Sequence, residues 1–300
     1  MTYPHYIQPR SVGDIWKELP QDKRIYFLAG GTDLFNYLRD GLIDAENSCF
    51  VDITLRKDAE AAGIVEETEN IKISAFTTFS SISESGLLKK YCPDLVAAAK
   101  VLGTPQIANR ATIGGNIANA SPAGDALPPL AAHFAKVEIT NSNGSRLLNI
   151  LDVFAGPKKT TLINGEIITA VIIPKIKAKD GFTVAGTFKK IGGRSSHIIA
   201  KASVAVFAVV KNKPRPCVQE RGKSVDYISV ALGAVGPKII EVKNISKILS
   251  GKDVSPELTE KCKDEIRKVA SPIDDFRSTA EYRLEVICPL FEQALNEIVK

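Results

Sequence analysis

ATIGGNIANASPAG, residues 111–124, runs for fourteen residues without a formal charge between Arg110 and Asp125. So much Gly, Asn, Ser and Ala makes a poor core element, and the segment reads as a long loop with a task other than packing. Small side chains let a backbone come close to a ligand, and backbone N–H groups with short polar side chains suit phosphate oxygens. A second small-residue turn, Ala29-Gly30-Gly31-Thr32-Asp33, makes the same offer near the N-terminus. Together the two segments suggest a bulky phosphorylated cofactor held between two loops.

Working outward, 300 residues with 44% hydrophobic and 24% charged content describe a globular chain long enough for two or three subdomains. The net charge of +5 is modest, and no basic stripe is interleaved with aromatics, so nucleic acid is not an expected partner. No apolar run is long enough to span a bilayer, and MTYPHYIQPR lacks the apolar stretch of a signal peptide, so a cytoplasmic location is expected. Five cysteines, Cys49, Cys92, Cys217, Cys262 and Cys288, are far apart and read as reduced, mostly buried thiols. His5, His133 and His197 are too scattered for zinc, and nothing supplies the thiolates of an iron–sulfur cluster, so no metal is assigned.

Hydrophobic patterning predicts strands at 24–29, 50–53, 71–75, 137–140, 167–173, 203–210 and 227–234. Helices are predicted at 34–39, 94–102 (ending at Gly103), 126–134, 256–269 and 278–299. Thr32 and Asp33 read as caps of the first of these, and Ser255 with Pro256 as the start of the fourth. Pro174 and the Lys-rich KIKAKDG that follows place a boundary near residue 176, beyond which the chain reads as a sheet covered by helices.

Neither GxGxxG nor GxxxxGK[ST] occurs, so phosphate binding needs a scaffold other than a Rossmann unit or a P-loop. Gly30 and Gly31 would offer consecutive amides ahead of a helix start, where a pyrophosphate is favoured. Thr112, Gly114, Gly115, Asn116, Asn119 and Ser121 supply donors with little bulk in the longer segment. Asp125, just before the apolar ALPPLAA, is equally suited to capping the next helix or accepting a hydrogen bond from a ribose or ring N–H. Lys189, Lys190 and Arg194 read as a solvated strand end. No nucleophile is paired with a base, so no catalytic side chain is assigned.

AGGTDL at 29–34, TIGGNIANASPAGDALPPL at 112–130 and DFRSTAEYRLEVICPLFEQAL at 275–295 together resemble the hallmark segments of the FAD-binding medium subunit of the xanthine dehydrogenase, or molybdenum hydroxylase, family, which includes carbon monoxide dehydrogenase. The resemblance implies an α+β chain: a two-part FAD-binding fold of the vanillyl-alcohol oxidase/MurB type over 1–175, with subdomains of about 1–56 and 57–175, then a smaller α+β domain over 176–300. It implies cofactor contacts from Tyr26, Phe27, Leu28, Ala29, Gly30, Gly31, Thr32 and Asp33 around the pyrophosphate. Ala111, Thr112, Ile113, Gly114, Gly115, Asn116 and Asp125 complete the site. Ile73 and Ala75 lie on a strand lining the cofactor, Ile168 matches an apolar flavin-side position, and Lys189 matches a basic contact. Where many relatives carry two arginines this chain reads GGRSS, around Arg194.

The resemblance further implies that the molybdenum cofactor and [2Fe-2S] clusters sit on partner subunits of a heteromeric complex, a dimer of heterotrimers. This chain would then take electrons onto FAD and pass them to an acceptor such as NAD. Some relatives, the 4-hydroxybenzoyl-CoA reductases, carry a cluster-binding cysteine insertion in this subunit, whereas residues 134–173 here contain no cysteine. Two other readings stay open on sequence: a free-standing FAD-dependent oxidase or reductase, which should bring a substrate-facing acid or base, and a cofactor-free assembly subunit, which should show eroded glycine segments.

Overall fold

The computed structural model describes residues 3–54, 63–193, 198–211 and 224–300. The first unit is a three-stranded parallel sheet in which Ser48–Asp52 lies between His5–Ile7 and Arg24–Leu28, accompanied by helices Val12–Glu18 and Leu34–Arg39. The central strand, SCFVD, is buried along its whole length, as expected for a parallel strand covered on both faces. Its small core joins Ile15, Cys49, Val51 and Ile53 to Ile167 from the neighbouring unit.

The second unit is an antiparallel sheet of five strands in the order Ile64–Glu66, Asn70–Ser74, Ile167–Pro174, Lys136–Asn141, Gly144–Asn149. Asn70–Ser74 alternates between fully and partly buried residues, the pattern of a strand with one face on a core. That core is closed by helices, chiefly Phe79–Glu84, Pro93–Lys100 and Leu127–Ala132, through Phe79, Ile82, Leu95 and Leu130.

The third unit is antiparallel, with Phe182–Ile191, Ala202–Lys211, Ser224–Gly233 and Ile240–Glu241 in that order, and Lys252–Asp253 also paired to Ser224–Gly233. Ala202–Lys211 is buried at every position but the last, because both faces of its sheet are covered. Val204, Val206 and Ala208 face the helices Pro256–Val269 and Ala280–Val299. Ala205 and Phe207 point the other way, into the core of the second unit, where Phe207 lies 4.1 Å from the ring of His133. The third unit thus shares a hydrophobic core with the second.

The predicted elements are found within a few residues of their expected positions, with one substantive correction. Residues 111–124 are not a continuous loop: Ile113–Asn119 forms a helix, ending at Ala120 in the left-handed region with φ 47°. Glycines and asparagines disfavour a helix in isolation, but Thr112 caps this one through its hydroxyl, which accepts from Gly115 N. Cys49, Cys92, Cys262 and Cys288 are buried free thiols, while Cys217 and His197 lie outside the described residues. Among the described residues no group of His, Cys, Asp or Glu side chains is arranged to hold a metal, and no helix is long and apolar enough to cross a membrane.

Phe207 is fully buried between the two units. Phe207→Ala should therefore lower the unfolding free energy by roughly 3–5 kcal/mol, read from the urea midpoint at unchanged slope. A change under about 1 kcal/mol would mean that the two units do not share this core.

Candidate cofactor-binding site

The first glycine turn lies at the carboxyl end of Arg24–Leu28, in the crevice position where open parallel sheets present ligand sites. Gly31 has φ +71°, the left-handed conformation glycine adopts without steric penalty. Gly30 is required for a different reason: a β-carbon there would stand 2.0 Å from the carbonyl oxygen of Arg110. The backbones of the two glycine-containing segments are in direct contact at this point, and Arg110 Nε donates to Gly30 O at 3.1 Å.

Hydrogen bonding divides the two segments by role. In the second, Ile113 N donates to Thr77 O (3.0 Å), Gly114 N to Ala75 O (2.8 Å), Gly115 N to the Thr112 hydroxyl (3.1 Å) and Asn116 N to Thr112 O (2.9 Å). Its leading amides are therefore used within the protein, contrary to the expectation of many free donors there. In the first, the amides of Gly30, Gly31, Thr32 and Asp33 donate to no protein acceptor among the described residues. Successive unpaired donors in a turn that includes a left-handed glycine are the groups from which anion-binding concavities are built.

The helix Leu34–Arg39 follows that turn with Asp33 at the cap position, but the Asp33 side chain makes no capping hydrogen bond. Its carboxylate instead stands 3.9 Å from Lys158 Nζ. Lys158 in turn donates to Tyr37 Oη at 2.6 Å and to Asn119 Oδ1 at 2.9 Å, and Tyr37 Oη donates to the same Asn119 oxygen at 2.8 Å. This cluster ties the Leu34–Arg39 helix to the far end of the Ile113–Asn119 helix. Sequence reading did not single out Tyr37 or Lys158, because neither lies in a motif and only the fold brings them together.

Ile73, Ala75 and Ile168 are buried in the second unit rather than presented on a surface. Ala75 acts through its backbone, which receives Gly114 N–H so closely that a β-carbon on Gly114 would be 2.6 Å from Ala75 Cβ. Gly115, one residue on, is exposed and meets only the Thr112 hydroxyl. Tyr26 and Phe27 are half-buried on the strand leading into the first turn, where Tyr26 packs against Phe50 with ring centroids 5.7 Å apart. Leu28 is buried and Ala29 partly so.

Asp125 does not cap the following helix, which begins at Leu127 after Ala126. It is buried and receives Lys190 Nζ on Oδ2 at 2.7 Å. Burial pushes its carboxyl up to about 6 even though the Lys190 ammonium pulls the other way. Lys190 is therefore no solvated strand end. Lys189 lies on the opposite face of its strand from Lys190, where it pairs with Glu297 and is turned away from Asp125, as strand alternation requires. Arg194 lies outside the described residues.

Asn116 Oδ1 and Asp125 Oδ1 are buried acceptors with no hydrogen-bond partner in the protein. An orphaned buried acceptor costs about 1–3 kcal/mol, so a ligand carrying donors would relieve it. Four free amides at one turn and two unpaired acceptors beside the other fit a molecule with an anionic bridge and N–H or O–H donors, as FAD is.

The close approach at Gly114 makes a stability prediction. Gly114→Ala forces a contact that neither backbone can relax and should destabilise the chain by about 1–3 kcal/mol, seen as a lowered Tm. Gly156→Ala, which meets nothing within 4 Å, serves as the control and should leave Tm nearly unchanged.

Comparison with known proteins agrees with this architecture. The family described as the FAD binding domain in molybdopterin dehydrogenase matches residues 2–176, and that of the CO dehydrogenase flavoprotein C-terminal domain matches residues 187–298. The chain is 26% identical to the glyceraldehyde dehydrogenase medium chain of Sulfolobus acidocaldarius over 98% of this chain and 97% of that one. It is 25% identical to the xanthine dehydrogenase FAD-binding subunit of Escherichia coli O157:H7, over 99% and 96% of the respective chains. Among solved structures, a chain of the carbon monoxide dehydrogenase of Hydrogenophaga pseudoflava superposes with a TM-score of 0.84 at 27% identity, covering 99% of this chain and 97% of that chain. With both halves matched and the glycine segments in place, the chain belongs to the family of FAD-binding medium subunits of the molybdenum hydroxylases, as the flavoprotein component of an oxidoreductase.

Proposed function

We propose that the chain is the electron-transfer subunit of a multi-subunit molybdenum hydroxylase, taking electrons from [2Fe-2S] clusters of a partner subunit and passing them to an acceptor such as NAD. The observation that carries this reading is the row of unpaired amides at residues 30–33, clamped by the Gly30–Arg110 contact onto the Ile113–Asn119 segment. Gly30, Gly31, Thr32 and Asp33 would hold the FAD pyrophosphate, with Tyr26, Phe27, Leu28 and Ala29 leading into the turn. Ala111, Thr112, Ile113, Gly114, Gly115 and Asn116 would form the opposing wall, with Asp125 behind it. Ile73, Ala75 and Ile168 support that wall from the core.

When bound, FAD supplies the ability to collect electrons one at a time and release them in pairs. The chain's own residues bind and orient the cofactor, and the polar groups around it use no acid–base pair. The molybdenum cofactor and the iron–sulfur clusters are assigned to partner subunits, in keeping with the names of the relatives as medium chains and FAD-binding subunits. The assembly that follows is a heteromeric complex built as a dimer of heterotrimers, in which substrate choice belongs to the molybdenum subunit.

The test is the visible spectrum of the purified chain with the released flavin identified by chromatography, followed by co-purification with its partners and NADH formation on reduction. Stoichiometric FAD and a molybdenum- and iron-containing complex are expected; a chain that binds no FAD alone or in a complex would refute the reading. Gly115→Leu, at an exposed position beside the wall, should fold with unchanged far-ultraviolet circular dichroism yet lose its flavin. Full FAD occupancy in that variant would show that the segment does not face the cofactor.

A further inference from the structure

Two adjacent lysines on the strand Phe182–Ile191 do different things. Lys189 pairs with Glu297 of the C-terminal helix, on the side away from the second unit. Lys190 crosses the boundary between units: its ammonium donates to Asp125 Oδ2 at 2.7 Å, to Val101 O at 3.0 Å and to Ile198 O at 2.9 Å. An ammonium has three donors, so every one is committed. The side chains of Lys190 and Asp125 are 5% and 9% exposed, and no other charged side chain among the described residues forms an ion pair with this carboxylate.

The arrangement leaves one half of Asp125 unused. Oδ2 is held by Lys190, whereas Oδ1 is buried without a partner. Asn116 Oδ1, also unpartnered, would stand 3.2 Å from a β-carbon on Gly124, the residue that precedes Asp125. The same stretch is gripped by the third unit a second time, since Ala234 N donates to Pro122 O at 2.8 Å. A carboxylate aligned from one domain, with a free acceptor oxygen in the cofactor-binding segment of another, is arranged to report on the docking between them.

Resting on the reading of the chain as an FAD-binding subunit, we infer that Lys190 is a positioning residue that couples docking of the C-terminal domain to cofactor retention, by orienting Asp125 so that Oδ1 accepts a hydrogen bond from bound FAD. Lys190 itself does not touch the cofactor in this scheme. Losing it would weaken FAD binding indirectly, through the Asp125 contact that it orients.

The test is titration of the full chain with FAD, followed by flavin fluorescence between pH 5 and 8, for wild type, Lys190→Met, Lys190→Arg and Asp125→Asn, with Tm measured separately. In the wild type, the ionised acceptor is lost as pH falls through about 6, so FAD affinity should drop there. Without the Lys190 charge, burial acts alone and raises the Asp125 carboxyl further. Lys190→Met should therefore move the midpoint upward by about one pH unit or more and weaken binding near pH 7 at least about twofold, reaching about tenfold for a shift of about two units. Lys190→Arg should restore much of the wild-type profile, and Asp125→Asn should flatten it. If Lys190→Met fails to fold, the double variant with Asp125→Asn removes the unpaired buried charge, and its profile should match that of Asp125→Asn alone. Wild-type affinity and midpoint in Lys190→Met, even with a lowered Tm, would reduce Lys190 to a structural strut while leaving the FAD-subunit reading intact. A wild-type chain that binds no FAD would overturn that reading and this inference with it.

Discussion

The contact between Gly30 and the Arg110 carbonyl is the constraint around which the site is built. A β-carbon at Gly30 would lie 2.0 Å from that oxygen, so the two glycine segments can meet only as bare backbone. Arg110 Nε then closes the junction on Gly30 O. Once the segments are pinned there, the first turn keeps its amides directed to no protein acceptor, and the second is free to fold as a short helix on Ala75. The asymmetry is chemical as well as geometric: one segment offers unpaired donors and the other unpaired acceptors.

What the glycines leave open, the sheets make rigid. The second unit's core places Ala75 where Gly114 needs it, and the third unit extends that core through Ala205 and Phe207. A strand buried on both faces cannot tolerate polar residues, which is why Ala202–Lys211 reads as an almost unbroken apolar run. The Ala280–Val299 helix covers the outer face and is anchored by Arg283, whose guanidinium donates to Asp275 Oδ1 at 2.7 Å and to two backbone carbonyls. The DFRSTAEYR segment is thereby explained as packing: Asp275 and Arg283 join the start of the last helix to the sheet.

One buried ion pair lies where the second and third units meet. Lys190 joins Asp125 across that boundary, while the hydrogen-bonded Asp94 and His133, 2.7 Å apart within the second unit, lie beneath Phe207 of the third. Breaking a buried pair by removing one partner strands the other charge in a poor solvent, so such contacts specify how domains dock more than they stabilise either domain alone.

Much of this protein was legible in its residues. AGGTD and IGGN announce close backbone approach because no side chain larger than hydrogen fits such contacts, and period-two and period-3.6 patterns located the principal strands and helices because burial on one face imposes them. Family membership followed from the same glycine segments. Sequence could not assign roles within them: it read 111–124 as a loop of free donors, whereas a capped helix uses those amides internally. Nor could it separate Lys189 from Lys190, identical neighbours distinguished only by the side of a strand on which each falls. Tyr37, Arg110 and Lys158 join the site through contacts spanning about 80 to 121 residues of chain. The sequence by itself determined where backbone must come close, because glycine is a local steric necessity; the tertiary structure alone decided which donors and acceptors remain unpaired, because pairing depends on groups that only folding brings together.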